Sequence, residues 1–398
     1  MKKIIAIILS ISILILSPTY IAFASDDTNN MDNGTNNEAE MDSTSGENLE
    51  IKAKSAVLME AETGAILYAK NASEPLAPAS VTKIMTLLLV AEAIDSGAVN
   101  LTDTVTVSAN ATSKGGSQIF MKEGEQFTVE ELLKSTVIAS ANDAAVALAE
   151  HLAGTEAEFV SRMNKRAGEL GMKSSVFENC TGLDDTVTNH KTSAYDIALM
   201  SRELIKHDEI LKYSNVWQDS IRDGEFVLTN TNRLVRYYQG CTGLKTGSTD
   251  KAGFCVSATA KRDGMHLIAV IMGSETRDER NEAARALLDF GFASYSLYED
   301  EESPLERLPV YKGQLSAVTS YSQHFICLVN KADMNKIEKK YTLPEHIEGE
   351  HKSGEAIGKV TYYIDGKEIG VCDVIIKDDI NTLTFFDVFL RMLRGAVS

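Results

Sequence analysis

The sequence predicts an α+β protein built on an antiparallel sheet, with a helical lobe inserted into it and a small all-β domain after it. Strand-like segments come first, helix-like segments fill the middle, and strand-like segments return after Trp217 before a late helix. That order is typical of one sheet built from both ends of a domain. From about Pro304 short segments alternate between apolar and polar residues, which indicates further strands.

The composition limits the classes of function. The chain has 398 residues, 44% of them apolar, which is enough for two or three domains with a sizeable core. Its net charge of -18 argues against nucleic acid as a partner, because phosphates attract cations. The five cysteines contain no Cys-x-x-Cys and are odd in number, so no disulfide framework or zinc site is predicted. We expect free thiols, although Cys241 and Cys255 could face each other on neighbouring strands.

The N-terminal 50 residues divide into two segments. Residues 1–24 begin with two lysines, continue in an apolar run to Leu16 and end in a small-x-small triplet, which is typical of a secretory signal peptide. An uncleaved membrane anchor is the alternative, because the apolar stretch is nearly long enough to span a bilayer. Residues 25–50 hold eight acids and no lysine or arginine, so we expect a disordered acidic linker. Either N-terminal reading predicts an exported protein.

Residues 51–298 are predicted to form the first folded domain. A hairpin over 55–60 and 65–70 leads through Pro78 to an apolar run, which predicts a helix from Val81 to about Ser96. The following helices and strands are predicted from periodicity: helices over 129–137, 142–152, 159–170, 192–206 and 280–290, and strands over 225–229, 243–247, 254–261 and 266–272.

The C-terminal hundred residues predict two further parts. Residues 304–378 form the all-β domain, with an Asp365-Gly366 hairpin turn. In residues 380–398, apolar side chains recur at helical spacing and include several phenylalanines, while Asp387 and two arginines lie on the other face. This pattern is typical of an amphipathic helix that anchors a protein at a membrane surface. The alternative is a helix that packs on the β domain or on a partner.

Ser80 and Lys83 form the first candidate catalytic pair. A spacing of three places the hydroxyl and the amine on one helical face, one turn apart. The serine would lie at the helix N-terminus, where free N–H groups favour a developing oxyanion. A desolvated, neutral lysine beside a serine can take its proton and make it a nucleophile.

Two further motifs supply groups that such a pair needs. Ser140 and Asn142 open a predicted helix, where a second hydroxyl can relay protons and an amide can hold a lysine or a substrate carbonyl. Lys245-Thr246-Gly247-Ser248 lies on a predicted strand, where the lysine offers a fixed charge and the glycine lets a substrate backbone approach. Each motif is weak alone. The three in this order are the set known from penicillin-binding proteins and class A β-lactamases.

The chain resembles the low-molecular-mass penicillin-binding proteins that act as D-alanyl-D-alanine carboxypeptidases. Residues 77–86, 140–145 and 243–249 are similar to that family's three motifs, and the resemblance covers roughly residues 51–398. It implies a serine β-lactamase/DD-peptidase-like fold and an exported enzyme on the extracytoplasmic face of the bacterial membrane. The implied substrate is the peptidoglycan stem peptide, and the implied inhibitors are β-lactam antibiotics. No metal or organic cofactor is implied.

The resemblance also implies a role for each motif residue. Ser80 attacks the carbonyl between the two terminal D-alanines, and Lys83 accepts its proton. Ser140 passes a proton to the leaving D-alanine, with Lys245 nearby, while Asn142 holds Lys83 and the substrate. We expect burial and the Lys245 cation to lower the pKa of Lys83.

The remaining roles concern the transition state and the substrate's end. The backbone N–H groups of Ser80 and Ser248 would form the oxyanion hole. Thr246 and Arg280 would meet the free carboxylate, beside Gly247, although Arg277 lies only three residues from Arg280.

Two other functions fit parts of the sequence. A β-lactamase on the same scaffold would need a Glu-x-x-Leu-Asn segment to activate water, and none occurs between Asn142 and Lys245. A catalytically silent wall-binding protein would use the cleft only to hold peptide, and the intact motifs argue against it.

Overall fold

A five-stranded antiparallel sheet forms the centre of the first domain, in the order β2-β1-β9-β8-β7. The computed structural model describes residues 49–185 and 187–395, so the predicted signal peptide and nearly all of the predicted linker lie outside the described residues. The first nine strands are β1 (Ser55–Glu60), β2 (Ile66–Lys70), β3 (Thr104–Thr106), β4 (Gln126–Thr128), β5 (Gln218–Ile221), β6 (Phe226–Thr229), β7 (Cys241–Thr249), β8 (Gly253–Arg262) and β9 (Met265–Ser274).

The helices of the lobe lie between β2 and β7, together with two small hairpins formed by β3 with β4 and by β5 with β6. A helix after β9 packs on the opposite face of the sheet. The helices are α1 (Lys83–Asp95), α2 (Ala109–Thr112), α3 (Val129–Val137), α4 (Asn142–Ala153), α5 (Glu156–Glu169), α6 (Ala194–Leu204), α7 (Asp208–Ser214), α8 (Leu234–Tyr237) and α9 (Arg277–Ser294).

The sheet is covered on both faces. Alternate residues of β1 enter two different apolar cores: Val57 and Met59 pack with the helical lobe, and Ala56 and Leu58 pack with α9. This follows from the two-residue repeat of a strand. The first strand pairs with the last, since Ser55 lies opposite Met272. The predicted α+β class, with one sheet from both ends of the domain and a helical lobe between, is confirmed.

Several predicted helix limits are wrong: α5 begins at 156 and not at 159, α6 spans 194–204 and not 192–206, and α9 begins at 277 and not at 280. The helix predicted from Val81 begins at Lys83, because Ala79–Thr82 form a tighter 3₁₀ turn. Helix α9 does not stop at 290 but continues to Ser294. Gly291 is a packing position and not a cap: a Cβ there would lie 2.6 Å from Cδ1 of Leu267 on the sheet.

The C-terminal part is built of strands up to its last helix, as predicted, apart from a 3₁₀ segment over Lys331–Lys336. A six-stranded sheet has the order β14-β16-β17-β12-β11-β15, and β10 pairs separately with β13. Its core includes Tyr362, on which the ring of Phe325 stacks at 3.9 Å. The elements are β10 (Tyr295–Asp300), β11 (Ser303–Tyr311), β12 (Ala317–Ser322), β13 (Phe325–Asn330), β14 (Ile337–Thr342), β15 (Ile347–Glu348), β16 (Ala356–Ile364), β17 (Lys367–Ile376) and α10 (Phe385–Gly395).

Helix α10 leaves its large apolar side chains in solvent. The exposed fraction is 87% for Phe385 and 70% for Met392, and Phe386 and Phe389 are also exposed. No helix within residues 49–185 and 187–395 combines the length and the hydropathy needed to cross a bilayer.

Candidate active site

Ser80 lies in the 3₁₀ turn that precedes α1, next to Gly247 of strand β7. Its Oγ accepts a hydrogen bond of 3.0 Å from Nζ of Lys83. Ala79 has a left-handed backbone with φ +48°, a strained conformation for a residue with a side chain. The strand passes so close to the turn that a Cβ on Gly247 would lie 2.8 Å from the backbone nitrogen of Ser80. Glycine at 247 therefore brings the strand's backbone against the serine.

Lys83 is fully buried and ends in a cage of three acceptors. Besides Ser80, its Nζ donates to Oδ1 of Asn142 at 2.5 Å and to the carbonyl of Thr181 at 2.9 Å. Asn142 is held in turn, because its Nδ2 donates to the carbonyl of Gly115 at 2.7 Å. These three hydrogen bonds fix the position of the Lys83 amine beside the hydroxyl of Ser80.

Burial lowers the pKa of Lys83 to about 7, because the ammonium has lost its water. Cys180 and Asp143 act in the opposite direction and limit the shift. A neutral amine, which can accept a proton, is therefore accessible at this position near neutral pH.

Ser140 lies two residues before α4, with a left-handed φ of +62°. The residue is almost fully buried, and its Oγ has no hydrogen-bond partner among the described residues. A buried hydroxyl without a partner costs free energy, and such costs concentrate at functional sites. Ser140 lines the same cleft as Ser80.

Lys245 on β7 is the second buried lysine of the site. Its Nζ donates to the carbonyl of Thr246 at 3.1 Å. Burial lowers its pKa well below the ordinary value, and repulsion from Lys83 and Arg280 lowers it further. The repulsion between the two lysines therefore acts on Lys245, whereas we expected it at Lys83.

The cleft has a volume of about 700 Å³. Six of the nine residues predicted for the site line it, and the other three (Lys83, Asn142 and Lys245) lie behind its wall. The six are Ser80, Ser140, Thr246, Gly247, Ser248 and Arg280. No acidic or sulfur-containing side chain of the described residues lines the cleft, so its lining offers no ligand set for a structural metal.

One end of the cleft is cationic. Arg280 is buried and donates to Oδ1 of Asn281, while Arg277 and Arg233 beside it are exposed. Burial lowers the pKa of Arg280 to about 10, and Arg277 and Arg233 add to the effect. Within the described part of the chain, none of the three forms an ion pair with an acid. This end therefore fits an anion of the substrate.

The sequence did not reveal seven of the fourteen residues that line the cleft. The missed residues are Ser117, Trp217, Thr229, Asn230, Thr231, Arg233 and Tyr237, whereas Arg277 was named beside Arg280. A usable signal existed for the polar run 229–233, because it separates a strand from the Lys245 strand, and for the single tryptophan of the chain. The carbonyl of Thr181 carries no such signal, since any residue could supply it.

The fold and this constellation define a class: the DD-peptidases and penicillin-binding proteins. Residues 41–276 match the family model of D-alanyl-D-alanine carboxypeptidases. Residues 292–382 match the family model of the C-terminal domain of penicillin-binding protein 5. The chain belongs to the D-alanyl-D-alanine carboxypeptidase family.

Relatives and solved structures agree with that assignment. The chain is 42% identical to the D-alanyl-D-alanine carboxypeptidase DacF of Bacillus subtilis, over 86% of this chain and 90% of the relative. It is 34% identical to DacD of Escherichia coli, over 85% and 89%. The structure of penicillin-binding protein 5 from Haemophilus influenzae matches with a TM-score of 0.74 at 31% identity, over 84% of this chain and 98% of the other.

Proposed function

We propose that the protein is a serine-type D-alanyl-D-alanine carboxypeptidase, which removes the terminal D-alanine from peptidoglycan pentapeptides. The observation that carries the proposal is the 3.0 Å hydrogen bond between Ser80 and the buried Lys83. A hydroxyl paired with a neutral amine is an activated nucleophile at neutral pH.

Acylation begins when Oγ of Ser80 attacks the carbonyl between the two D-alanines and Nζ of Lys83 takes the hydroxyl proton. The Oγ–C bond forms, and the C–N bond to the terminal D-alanine breaks. The leaving nitrogen needs a proton, and the unpartnered hydroxyl of Ser140 is available to pass it on, with the buried Lys245 nearby. Asn142 keeps the lysine aligned throughout.

The substrate's free carboxylate belongs at the cationic end of the cleft, near Arg280 and Thr246. Substrate backbone can lie along β7, which is an edge strand of the sheet with Gly247 at the point nearest the serine. The N–H groups of Ser80 and Ser248 are the proposed donors to the oxyanion.

Water then releases the shortened peptide from Ser80. A β-lactam would acylate the same oxygen, because its strained amide presents a similar carbonyl. A solved relative of this fold, penicillin-binding protein D2 from Listeria monocytogenes, is described in its ampicillin-bound form, with a TM-score of 0.57 at 31% identity over 62% of this chain. Rapid β-lactam turnover is not proposed, since no carboxylate lines the described cleft to activate the water.

The test is release of D-alanine from diacetyl-Lys-D-Ala-D-Ala, measured beside covalent labelling with a fluorescent penicillin. We expect steady release of D-alanine and a long-lived penicillin adduct. Penicillin hydrolysis at hundreds of turnovers per second would identify a β-lactamase instead. Penicillin labelling without D-alanine release would favour the silent wall-binding protein.

For the rest of the chain we propose an exported protein with a signal peptide at 1–24, an acidic linker at 25–50, a peptidase domain at 51–298, a β domain at 304–378 and an amphipathic helix at 380–398 that lies on the membrane. The exposed phenylalanines of α10 support membrane binding, since an apolar face in water is costly unless it is buried elsewhere.

Removal of residues 384–398 is expected to abolish binding to phosphatidylglycerol-containing vesicles and to leave D-alanine release from the tripeptide unchanged. The cut follows Leu383 because Ile380 belongs to the core of the β domain. A full-length variant with Phe385, Phe386 and Phe389 replaced by serine separates loss of apolar contact from truncation. The anchor assignment fails if sedimentation with vesicles persists in both proteins.

A further inference from the structure

A second cavity of about 490 Å³ lies beside the wall that holds the catalytic lysine. Gly115 and Thr181 line it, and their carbonyls are the acceptors for Asn142 and Lys83. The two carbonyls that hold Asn142 and Lys83 in place therefore belong to segments that line this second cavity.

One ion pair in this cavity joins the two supporting segments. Nζ of Lys114 lies 2.7 Å from Oε2 of Glu156, and their side chains are only 21% and 15% exposed. Lys114 directly precedes Gly115. The other carboxylate oxygen of Glu156 accepts from the thiol of Cys180 at 3.4 Å, and Cys180 directly precedes Thr181.

The carboxylate is ionised in spite of its position. Burial opposes the charge of Glu156, but the hydrogen bonds from Lys114, Asn110 and Cys180 outweigh burial and hold its pKa below the ordinary value. Asn110 also donates to Glu150 on α4, so the cluster reaches the helix that begins with Asn142. Separation of the two segments would leave a partly buried charge without its partner, which costs free energy. The ion pair therefore stabilises the contact between the two segments.

We propose that Lys114 and Glu156 are positioning residues, whose ion pair holds the carbonyls of Gly115 and Thr181 and thereby keeps Lys83 aligned with Ser80. This inference rests on the proposed function, because it assigns a purpose to the alignment. Neither residue lines the substrate cleft, so the pair acts on the rate of acylation and not on substrate binding.

Loss of the pair would also change the solvation of Lys83. The wall segments separate the amine from the second cavity, and a displaced wall admits water, which favours the ammonium. The other titratable groups that face Lys83 are Asp143 on α4, Cys180 in the wall and Lys245 on β7, and the substitutions leave all three in place. The acid limb of acylation, which is the low-pH part of the pH–rate profile where protonation of Lys83 slows the reaction, should therefore move to higher pH.

The test compares Glu156→Gln and Lys114→Met with the unmodified protein, by the pH dependence of penicillin acylation and by KM for the tripeptide. We expect acylation at neutral pH to fall about 10- to 100-fold, since small misplacements of reacting groups have such effects, with KM nearly unchanged. Lys114→Arg keeps the charge and the donor, so it should restore the original acid limb. Glu158→Gln is the matched control, because Glu158 lies in the first turn of the same helix and, within residues 49–185 and 187–395, its carboxylate pairs with the exposed Arg162 alone.

Acylation and acid limbs that match the unmodified protein in both variants would overturn the proposal. So would a lower melting temperature with an unmoved acid limb, which identifies a merely structural pair. If Lys114→Met does not fold, the Lys114→Arg and Glu156→Gln proteins still decide the outcome. An unmodified protein that neither labels with penicillin nor releases D-alanine would refute the proposed function and this inference with it, whereas variants that match an active unmodified protein would refute the inference alone.

Discussion

Ser80→Ala is expected to abolish both D-alanine release and penicillin labelling, with a loss of roughly five orders of magnitude or more. The substitution removes the oxygen that we propose carries the acyl group. Lys83 and the other residues of the cleft can still bind substrate, but the hydroxyl that donates its proton to Lys83 is gone. Release is measured with the tripeptide, and labelling is measured as a fluorescent band after denaturation.

The loss in this variant should be chemical and not structural. Ser80 is half-buried, and Lys83 keeps the acceptors Asn142 and Thr181 when the serine hydroxyl is gone. The melting temperature should therefore stay close to that of the unmodified protein. Ser96→Ala, at the far end of α1, is the matched control and should label normally. Labelling that survives in Ser80→Ala would assign the nucleophile to another residue.

Lys83→Met is expected to slow acylation by about 10²- to 10⁴-fold, the usual contribution of a general base. In the unmodified protein, only the neutral amine can accept the serine proton. Since the pKa of Lys83 lies at about 7, acylation should rise about tenfold per pH unit below this value and level off above it. The measurement is the second-order rate of penicillin acylation between pH 5 and 9.

Lys83→Arg distinguishes a base from a fixed charge. A guanidinium keeps the positive charge at Ser80 but does not lose its proton in this range, so the variant should be as slow as Lys83→Met. An arginine variant with normal acylation, or an acid limb at the ordinary lysine pKa, would show that Lys83 is not the proton acceptor.

Local patterns in the sequence account for the elements and for the side chains of the site. The spacing of Ser80 and Lys83 requires only that one turn separate them, and the 3₁₀ turn still places their atoms 3.0 Å apart. The order of strands and helices was likewise enough to predict one sheet from both ends of the first domain.

The remainder depends on contacts between distant residues. The Thr181 carbonyl reaches Lys83 because a loop almost a hundred residues later folds over the nucleophile's turn, where a Cβ on Gly182 would overlap the carbonyl oxygen of Ala79. Tertiary packing, and not local preference, likewise determines the left-handed conformation of Ser140 and the position of Arg233 in the cleft.

The pairing of β1 with β9 has a consequence for how the chain comes together during synthesis. Ser55 and Met272 are roughly two hundred residues apart, so at ribosomal rates of about 5 to 20 residues per second the first hairpin waits about 10 to 40 s for its partner. During that interval the edge of β1 that later pairs with β9 has no partner, and the four residues 56–59 of this strand are apolar. Contacts of such long range also make for slow closure of the sheet. Until the β7–β9 segment has been made, this edge of β1 can pair with other strands.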